Sequence, residues 1–295
     1  MEKVVRIAAP AKINLHLRVY RRGGDGFHGL RSIFQAVSLA DDVVVSSLKK
    51  SNSIEILGDF DCPVEKTTFY KAVLVWRRAT GDTRGLKIEV QKRIPQGGGL
   101  GGGSSDAAAA LRALNFLSGS PFKAGRLAEL GAEVGSDVPF FLYGGAALVS
   151  GRGEIIEPIE ARSDFGLVLC LPGFPSSTPA AFALLDRLRP DDSAEADPSA
   201  CELCAAYPGR PADWPYLNSF EGPLFAEYPL LADCFGALKR AGADFVRMSG
   251  SGSSLLGVFD SPERAGAAAA ALRRGSHGGI VWLEVFPLAR MQSVE

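Results

Sequence analysis

With 295 residues, of which 46% are apolar, the chain is long enough for one large or two medium domains with true cores, and it reads as globular. A net charge of −1 with dispersed basic residues argues against a nucleic-acid partner, and the lack of an eighteen-residue apolar run argues against a membrane partner. Five cysteines without framework spacing, and a start without an apolar signal segment, lead us to expect a cytoplasmic protein with ordinary thiols. Cys201-Glu-Leu-Cys204 lacks two further ligands, and His16, His28 and His277 show no partner spacing, so metal ligands are not identified.

Residues 1 to about 58 predict short strands. Val4, Val5 and Ile7, then Ile13, Leu15, Leu17 and Val19 in alternation, then Val43–Val45 and Ile54–Leu57 are separated by turns such as Arg22-Gly-Gly-Asp-Gly26. Phe69–Trp76 predicts a helix by its length and polar flanks. Leu86, Ile88, Val90 and Ile94 alternate on one face of a strand that Pro95 stops. Six glycines follow within residues 95–106, and Ala107–Leu117 then predicts a helix, with Ser104 or Ser105 as its cap and Gly119 beyond its end. A second helix is expected near residues 124–134.

The segment from Glu157 to Ser163 reads as a connector between two α+β domains, 1–158 and 159–295. Residues 189–215, rich in Pro, Asp, Ser and Ala, read as a surface excursion. Leu224, Tyr228, Leu231, Phe235 and Leu238 recur at helical spacing and suit a core. A strand over 255–259, a helix over 262–274 with Ser261 as cap and Gly275 as stop, and a strand over 280–286 form a β-α-β unit.

The strand, glycine run and helix point to phosphate binding. N–H groups at a helix start lack intrahelical partners, the helix dipole favours anions, and missing Cβ atoms let a phosphate chain approach the backbone. Gly97, Gly99 and Gly102 satisfy G-x-G-x-x-G, yet the acidic residue a dinucleotide site needs about 20 positions later is absent. No lysine follows the glycines, which excludes the P-loop signature, and a flexible linker is seldom framed by a strand and a capped helix.

Three separated segments, Pro10-Ala-Lys-Ile-Asn14, the glycine run and Met248-Ser-Gly-Ser-Gly252, together resemble the GHMP small-molecule kinase superfamily. The segments Gly24–Gln35 and Gly135-Ser-Asp-Val-Pro-Phe140 resemble, within it, the branch whose acceptor is a cytidine-diphosphate-linked methylerythritol. The resemblance spans nearly the whole chain. It implies a ribosomal S5 domain 2-like N-terminal half and a ferredoxin-like C-terminal half. It also implies ATP- and Mg2+-dependent phosphorylation of the acceptor's 2-hydroxyl in non-mevalonate isoprenoid precursor synthesis, by a monomer or homodimer.

Phosphoryl transfer is mainly positioning and charge neutralisation, and the resemblance assigns Asp137 as base and Lys12 as its cationic partner. Opposite charges at close range favour both charged forms. It places ATP on Pro95, Gln96, Gly97, Gly98, Gly99, Leu100, Gly101, Gly102, Gly103, Ser104 and Ser105, with magnesium bridging the phosphates. It gives the cytidine end to Asn14, Phe27, His28, Thr178 and Phe182, two rings sandwiching the base while His28 reads its edge. Phe27 stands where the family often has tyrosine, and Thr67 and Asp106 stand where asparagine is common. Another GHMP kinase acting on homoserine, mevalonate or a sugar, a non-catalytic nucleotide-binding protein, and a nicotinamide-dependent oxidoreductase are the competing readings.

Overall fold

A computed structural model describes residues 3–48, 52–174, 176–188, 197–275 and 279–291. The first half opens with two long strands, β1 (Val4–Arg22) and β2 (His28–Leu48), joined by the turn at residues 23–27. The short strands expected up to residue 48 are therefore segments of two long ones, with register shifts at Pro10/Ala11 and Asn14/His16 that re-aim the side chains. β3 (Ile54–Leu57), α1 (Thr68–Thr80), β4 (Gly85–Gln91), α2 (Gly102–Leu117), α3 (Ala124–Val134), α4 (Val138–Tyr143), β5 (Ala146–Ser150) and β6 (Ile155–Ile159) follow. They build a six-stranded sheet in the order β3-β4-β2-β5-β6, with β1 also paired to β2.

Local chemistry explains the helices that frame the cavity described below. α1 starts where the Thr67 hydroxyl accepts from the Tyr70 N–H and ends at Gly81 in the left-handed conformation. It buries Phe69, Ala72, Val73, Val75 and Trp76 against α2, whose alanine face permits close approach. The α2 cap is Gly101 with φ of 72°, so Ser104 and Ser105 lie inside the first turn and neither caps the helix. A left-handed glycine turned the chain three residues before the serines could.

The second half comprises β7 (Gly166–Leu171), α5 (Thr178–Leu188), α6 (Ala200–Ala206), α7 (Glu221–Glu227), α8 (Pro229–Arg240), β8 (Phe245–Met248), β9 (Leu255–Phe259), α9 (Pro262–Arg274) and β10 (Val281–Val285). Its sheet has the order β10-β7-β9-β8, and β9-α9-β10 straddles β7, which gives the β-α-β-β-α-β plan of a ferredoxin-like unit. Apolar residues at the middle of β1, Ala11, Ile13 and Leu15, pack with Leu167, Leu169 and Leu256 of this sheet, so β1 belongs to the core between the halves. The chain end returns as well, with Leu288 N–H donating to Ala36.

Three expectations change. The first part of the supposed connector is β6, paired to β5, and the first sheet ends at Ile159 while the second begins at Gly166. Within the excursion, residues 189–196 lie outside the described residues, and Ser199 and Glu202 form a capping box for α6. The 224–238 periodicity spans two helices broken at Tyr228, with Leu224, Leu231 and Leu238 buried and Tyr228 exposed. Among the described residues no helix is long and apolar enough to cross a membrane.

Candidate active site

A cavity of about 570 Å³ lies between the halves, walled by β1, the glycine run, the start of α4 and one face of α5. The glycine run is held almost entirely through its carbonyls. Gly97 O accepts from Ser176 N–H at 3.0 Å, Gly98 O from Ser254 N–H at 3.2 Å, Gly99 O from the Ser249 hydroxyl at 3.0 Å, and Leu100 O from Lys12 N–H at 2.9 Å. Gly103 O accepts from the Thr68 hydroxyl at 2.5 Å. The backbone N–H groups of residues 99–104, by contrast, find no protein acceptor among the described residues. A row of free donors at the start of a sixteen-residue helix is an anion cradle.

Two glycines are required by this close packing. Gly99 has φ of 75°, and a Cβ there would lie 2.2 Å from the Ser249 carbonyl oxygen. At Gly101 a Cβ would meet Lys12 Cγ at 3.0 Å. The opposing turn is fixed by Asn218, whose buried amide donates to Met248 O at 2.7 Å and Gly250 O at 2.9 Å.

Lys12 reaches the cavity from β1, with only 4% of its surface exposed. Its ammonium donates to Asn14 Oδ1 at 2.5 Å, lies 3.7 Å from Asp137 Oδ2 and sits 4.5 Å above the Phe34 ring. Burial pushes the ammonium below the ordinary lysine value, and the Asp137 carboxylate partly restores it. Asp137 is the N-cap residue of α4, but its side chain makes no capping hydrogen bond and its carboxylate faces Lys12 in the cavity. Asn14 is anchored by donating to the Ser32 hydroxyl at 2.9 Å.

Beside the cradle lies a largely buried charge cluster, of which Lys92 and Asp106 line the cavity. Lys92 donates to Asp41 at 2.5 Å and to Asp106 at 2.6 Å. Asp41 also accepts from Ile94 N–H at 2.8 Å, which fastens the end of the strand to the loop. Burial raises the Asp106 carboxyl to about 7.

The cavity's far end is aromatic. Phe182 on α5 lies 5.0 Å from the His28 ring and 5.0 Å from Phe220, and the Thr178 hydroxyl is 3.0 Å from that of Ser251. His28 Nδ1 contacts Tyr20 O at 2.8 Å, so that nitrogen carries the hydrogen. Phe27 is 54% exposed beneath the Arg152 guanidinium, 3.8 Å above the ring.

Residues 67–145 match the model of the GHMP kinases N terminal domain, and residues 200–277 that of the GHMP kinases C terminal. A 4-diphosphocytidyl-2-C-methyl-D-erythritol kinase of Treponema pallidum subsp. pallidum is 38% identical over 87% of this chain and 90% of its own. One from Thermus thermophilus is 38% identical over 90% and 91%. The chain belongs to the 4-diphosphocytidyl-2-C-methyl-D-erythritol kinase family. A crystal structure bearing that kinase's name superposes with a TM-score of 0.79 at 35% identity, covering 97% of this chain and 99% of the other. A homoserine kinase from Cytophaga hutchinsonii superposes at 0.77 with 20% identity, which speaks for the shared GHMP fold alone.

For this family member the structure brings Lys12, Asn14, Asp137, Thr178, Phe182 and the stretch from Pro95 to Ser104 onto one cavity. Ser105 is buried behind it, 1% exposed with an unpartnered hydroxyl, and does not line it. Phe27 and His28 also stand outside the lining, and no ring pair joins Phe27 to Phe182 among the described residues. The ring on Phe182 is His28 itself. Ser249, Asn218, Asp41 and Lys92 escaped the sequence reading because their partners are distant in the chain. The Ser-Gly-Ser-Gly repeat was the available signal for Ser249.

Proposed function

We propose that Lys12 and Asp137 are the catalytic pair of this kinase, which phosphorylates the 2-hydroxyl of 4-diphosphocytidyl-2-C-methyl-D-erythritol with ATP. The observation that supports these roles most strongly is the placement of the Lys12–Asp137 pair beside a loop whose carbonyls are engaged and whose N–H groups are free.

ATP phosphates lie on the N–H groups of residues 99–104, where the α2 dipole adds positive potential and Ser104 adds a hydroxyl. Asp137 accepts a hydrogen bond from the acceptor hydroxyl, aims its oxygen at the γ-phosphorus and takes its proton as the new oxygen–phosphorus bond forms, while the bond from the γ-phosphorus to the bridging oxygen breaks and ADP leaves. The Lys12 ammonium faces the transferring group and offsets the charge on its oxygens. Its contacts to Asn14 and Phe34 hold it in place, so little reorganisation accompanies the reaction.

The Ser104 hydroxyl is an oxygen donor on the cavity and suits Mg2+, which keeps several waters and leans on substrate phosphates. Bound there with ATP, the ion would supply further charge neutralisation. Thr178 and Phe182 line the acceptor end, and the cytidine base takes a place against Phe182 within reach of His28 and Phe27.

The test is ADP release by the purified protein with Mg-ATP and each of four acceptors, the cytidyl substrate, homoserine, mevalonate and galactose. Turnover confined to the cytidyl substrate is expected. Comparable turnover of a small aliphatic acceptor would contradict the acceptor assignment.

A further inference from the structure

The cations that line the cavity are unevenly engaged. Lys92 is shared by Asp41 and Asp106, and Lys12 faces Asp137 and Asn14. Lys66 stands two residues before Thr68, whose hydroxyl donates to Gly103 O, and so belongs to the nucleotide wall. Arg152 is the remaining cation among the described residues of the lining. Its side chain is half-exposed, and among the described residues a single nitrogen of its guanidinium, Nη2, has a carboxylate partner, Asp25 Oδ2 at 2.7 Å.

Arg152 belongs to the turn of residues 151–154 between β5 and β6, and that turn is pinned at both sides. Gly151 O accepts from Leu30 N–H at 2.8 Å, and Glu154 Oε2 accepts from the Arg152 N–H at 2.7 Å. On one side the turn abuts the catalytic carboxylate: a Cβ on Gly153 would lie 3.4 Å from Asp137 Oδ1. On the other, the guanidinium lies 3.8 Å above the Phe27 ring, and Asp25, which holds Nη2, also accepts from the Phe27 N–H at 3.1 Å. A guanidinium rests its face on a ring while its N–H groups point outward in its own plane, so the contact with Phe27 leaves Nε and Nη1 able to act as a donor fork.

Resting on the cytidyl reading above, we infer that Arg152 binds the diphosphate of the acceptor and is the group by which this pocket selects a nucleoside-diphosphate-linked alcohol over an uncharged one. An acceptor with its reacting hydroxyl at Asp137 and its base near Phe27 and Phe182 carries its diphosphate between them, and the Arg152 turn borders Asp137 at one end and Phe27 at the other. The fork meets phosphate oxygens in pairs, a geometry an ammonium does not offer. Half-exposure to water keeps the contribution modest and makes it sensitive to salt.

The experiment measures inhibition constants of cytidine 5′-diphosphate and of uncharged cytidine, each competing with the cytidyl substrate at saturating Mg-ATP. Wild type, Arg152→Ala and Arg152→Lys are compared at low and at physiological ionic strength. Arg152→Ala should raise the cytidine diphosphate constant and the acceptor KM about three- to fivefold, and leave the cytidine constant and the KM for ATP within about twofold of wild type. Arg152→Lys, which keeps the charge without the fork, should fall between the two, and the gap between wild type and Arg152→Ala should narrow as salt is added. Equal shifts of the cytidine and cytidine diphosphate constants would assign Arg152 to the base through Phe27 and overturn the diphosphate role, and so would constants that do not move. A parallel rise in the KM for ATP would mark a general structural loss and overturn it too. Absence of any wild-type turnover with the cytidyl substrate would instead refute the acceptor reading, and the Arg152 assignment with it.

Discussion

The two ends of the cavity satisfy their polar groups in opposite ways. At the nucleotide end, the carbonyls of residues 97–100 are tied to Ser176, Ser254, Ser249 and Lys12, and the N–H groups of residues 99–104 are left without acceptors. At the end proposed for the acceptor, His28 is covered by Phe182 and its Nδ1 donates to the Tyr20 carbonyl, so these groups are spent on one another. The first end is set for a ligand before it arrives, and its donors need no rearrangement to meet charge. The second end must give up internal contacts, which weakens binding but makes a fit depend on a ligand able to replace them.

The strongest way to break this contrast is at the point where the ends meet. Lys12→Met should lower kcat by about 10²- to 10⁴-fold, measured by coupled ADP release, because it removes the buried cation beside Asp137. A variant that kept wild-type turnover would take Lys12 out of the chemistry. Next in size is Gly99→Ala, whose new methyl would lie 2.2 Å from the Ser249 carbonyl on a left-handed backbone. We expect a stability loss of about 1–3 kcal/mol and a rise in KM for ATP that exceeds any rise for the acceptor.

Asp106 sharpens the account of the nucleotide end by its pH dependence. Its folded value of about 7 exceeds the 3.8 of an exposed carboxyl in the unfolded chain, so the folded state binds the extra proton between those values. That contribution is fully present below the unfolded value and is lost as pH rises to about 7. In Asp106→Asn this loss disappears. The melting temperature of the variant relative to wild type should therefore climb between pH 5 and pH 8, and a relative fall would contradict the buried-carboxyl reading. The smallest effect is expected at the rim, where Arg152 stacks on exposed Phe27 and pairs with Asp25 at 2.7 Å. Arg152→Ala should raise the acceptor KM no more than about fivefold and leave that for ATP unchanged.

The nucleotide end was also the more legible in sequence, because its information is local. A strand stopped by Pro95, six glycines and an alanine-rich helix lie within forty residues, and their order alone points to phosphate binding. The detail missed there was also local in kind. Gly101 in the left-handed region took the capping position that serine chemistry suggested for Ser104 or Ser105.

Lys12 and Asp137 could be paired only through family resemblance, since 125 positions separate them and neither stands out among the charged residues. The same holds for Asn218, whose two carbonyl partners lie thirty residues on, and for the Asp41–Lys92 contact. At the other end the family resemblance, not the residues themselves, puts Phe27, His28 and Phe182 around a base; the packing of α5 on the hairpin sets His28 on Phe182 and Arg152 on Phe27. Strand pairing likewise overrode composition at residues 155–159, where Glu157 and Pro158 read as connector but join β5 at the sheet edge.

The most direct measurement is single-turnover phosphoryl transfer by Asp137→Asn, with ATP affinity measured separately on the same protein. The account predicts a transfer rate lowered about 10²- to 10⁴-fold while ATP binding changes by less than about threefold, since the cradle is backbone and does not include Asp137. A wild-type transfer rate in that variant, or a loss of activity explained wholly by loss of ATP binding, would contradict it.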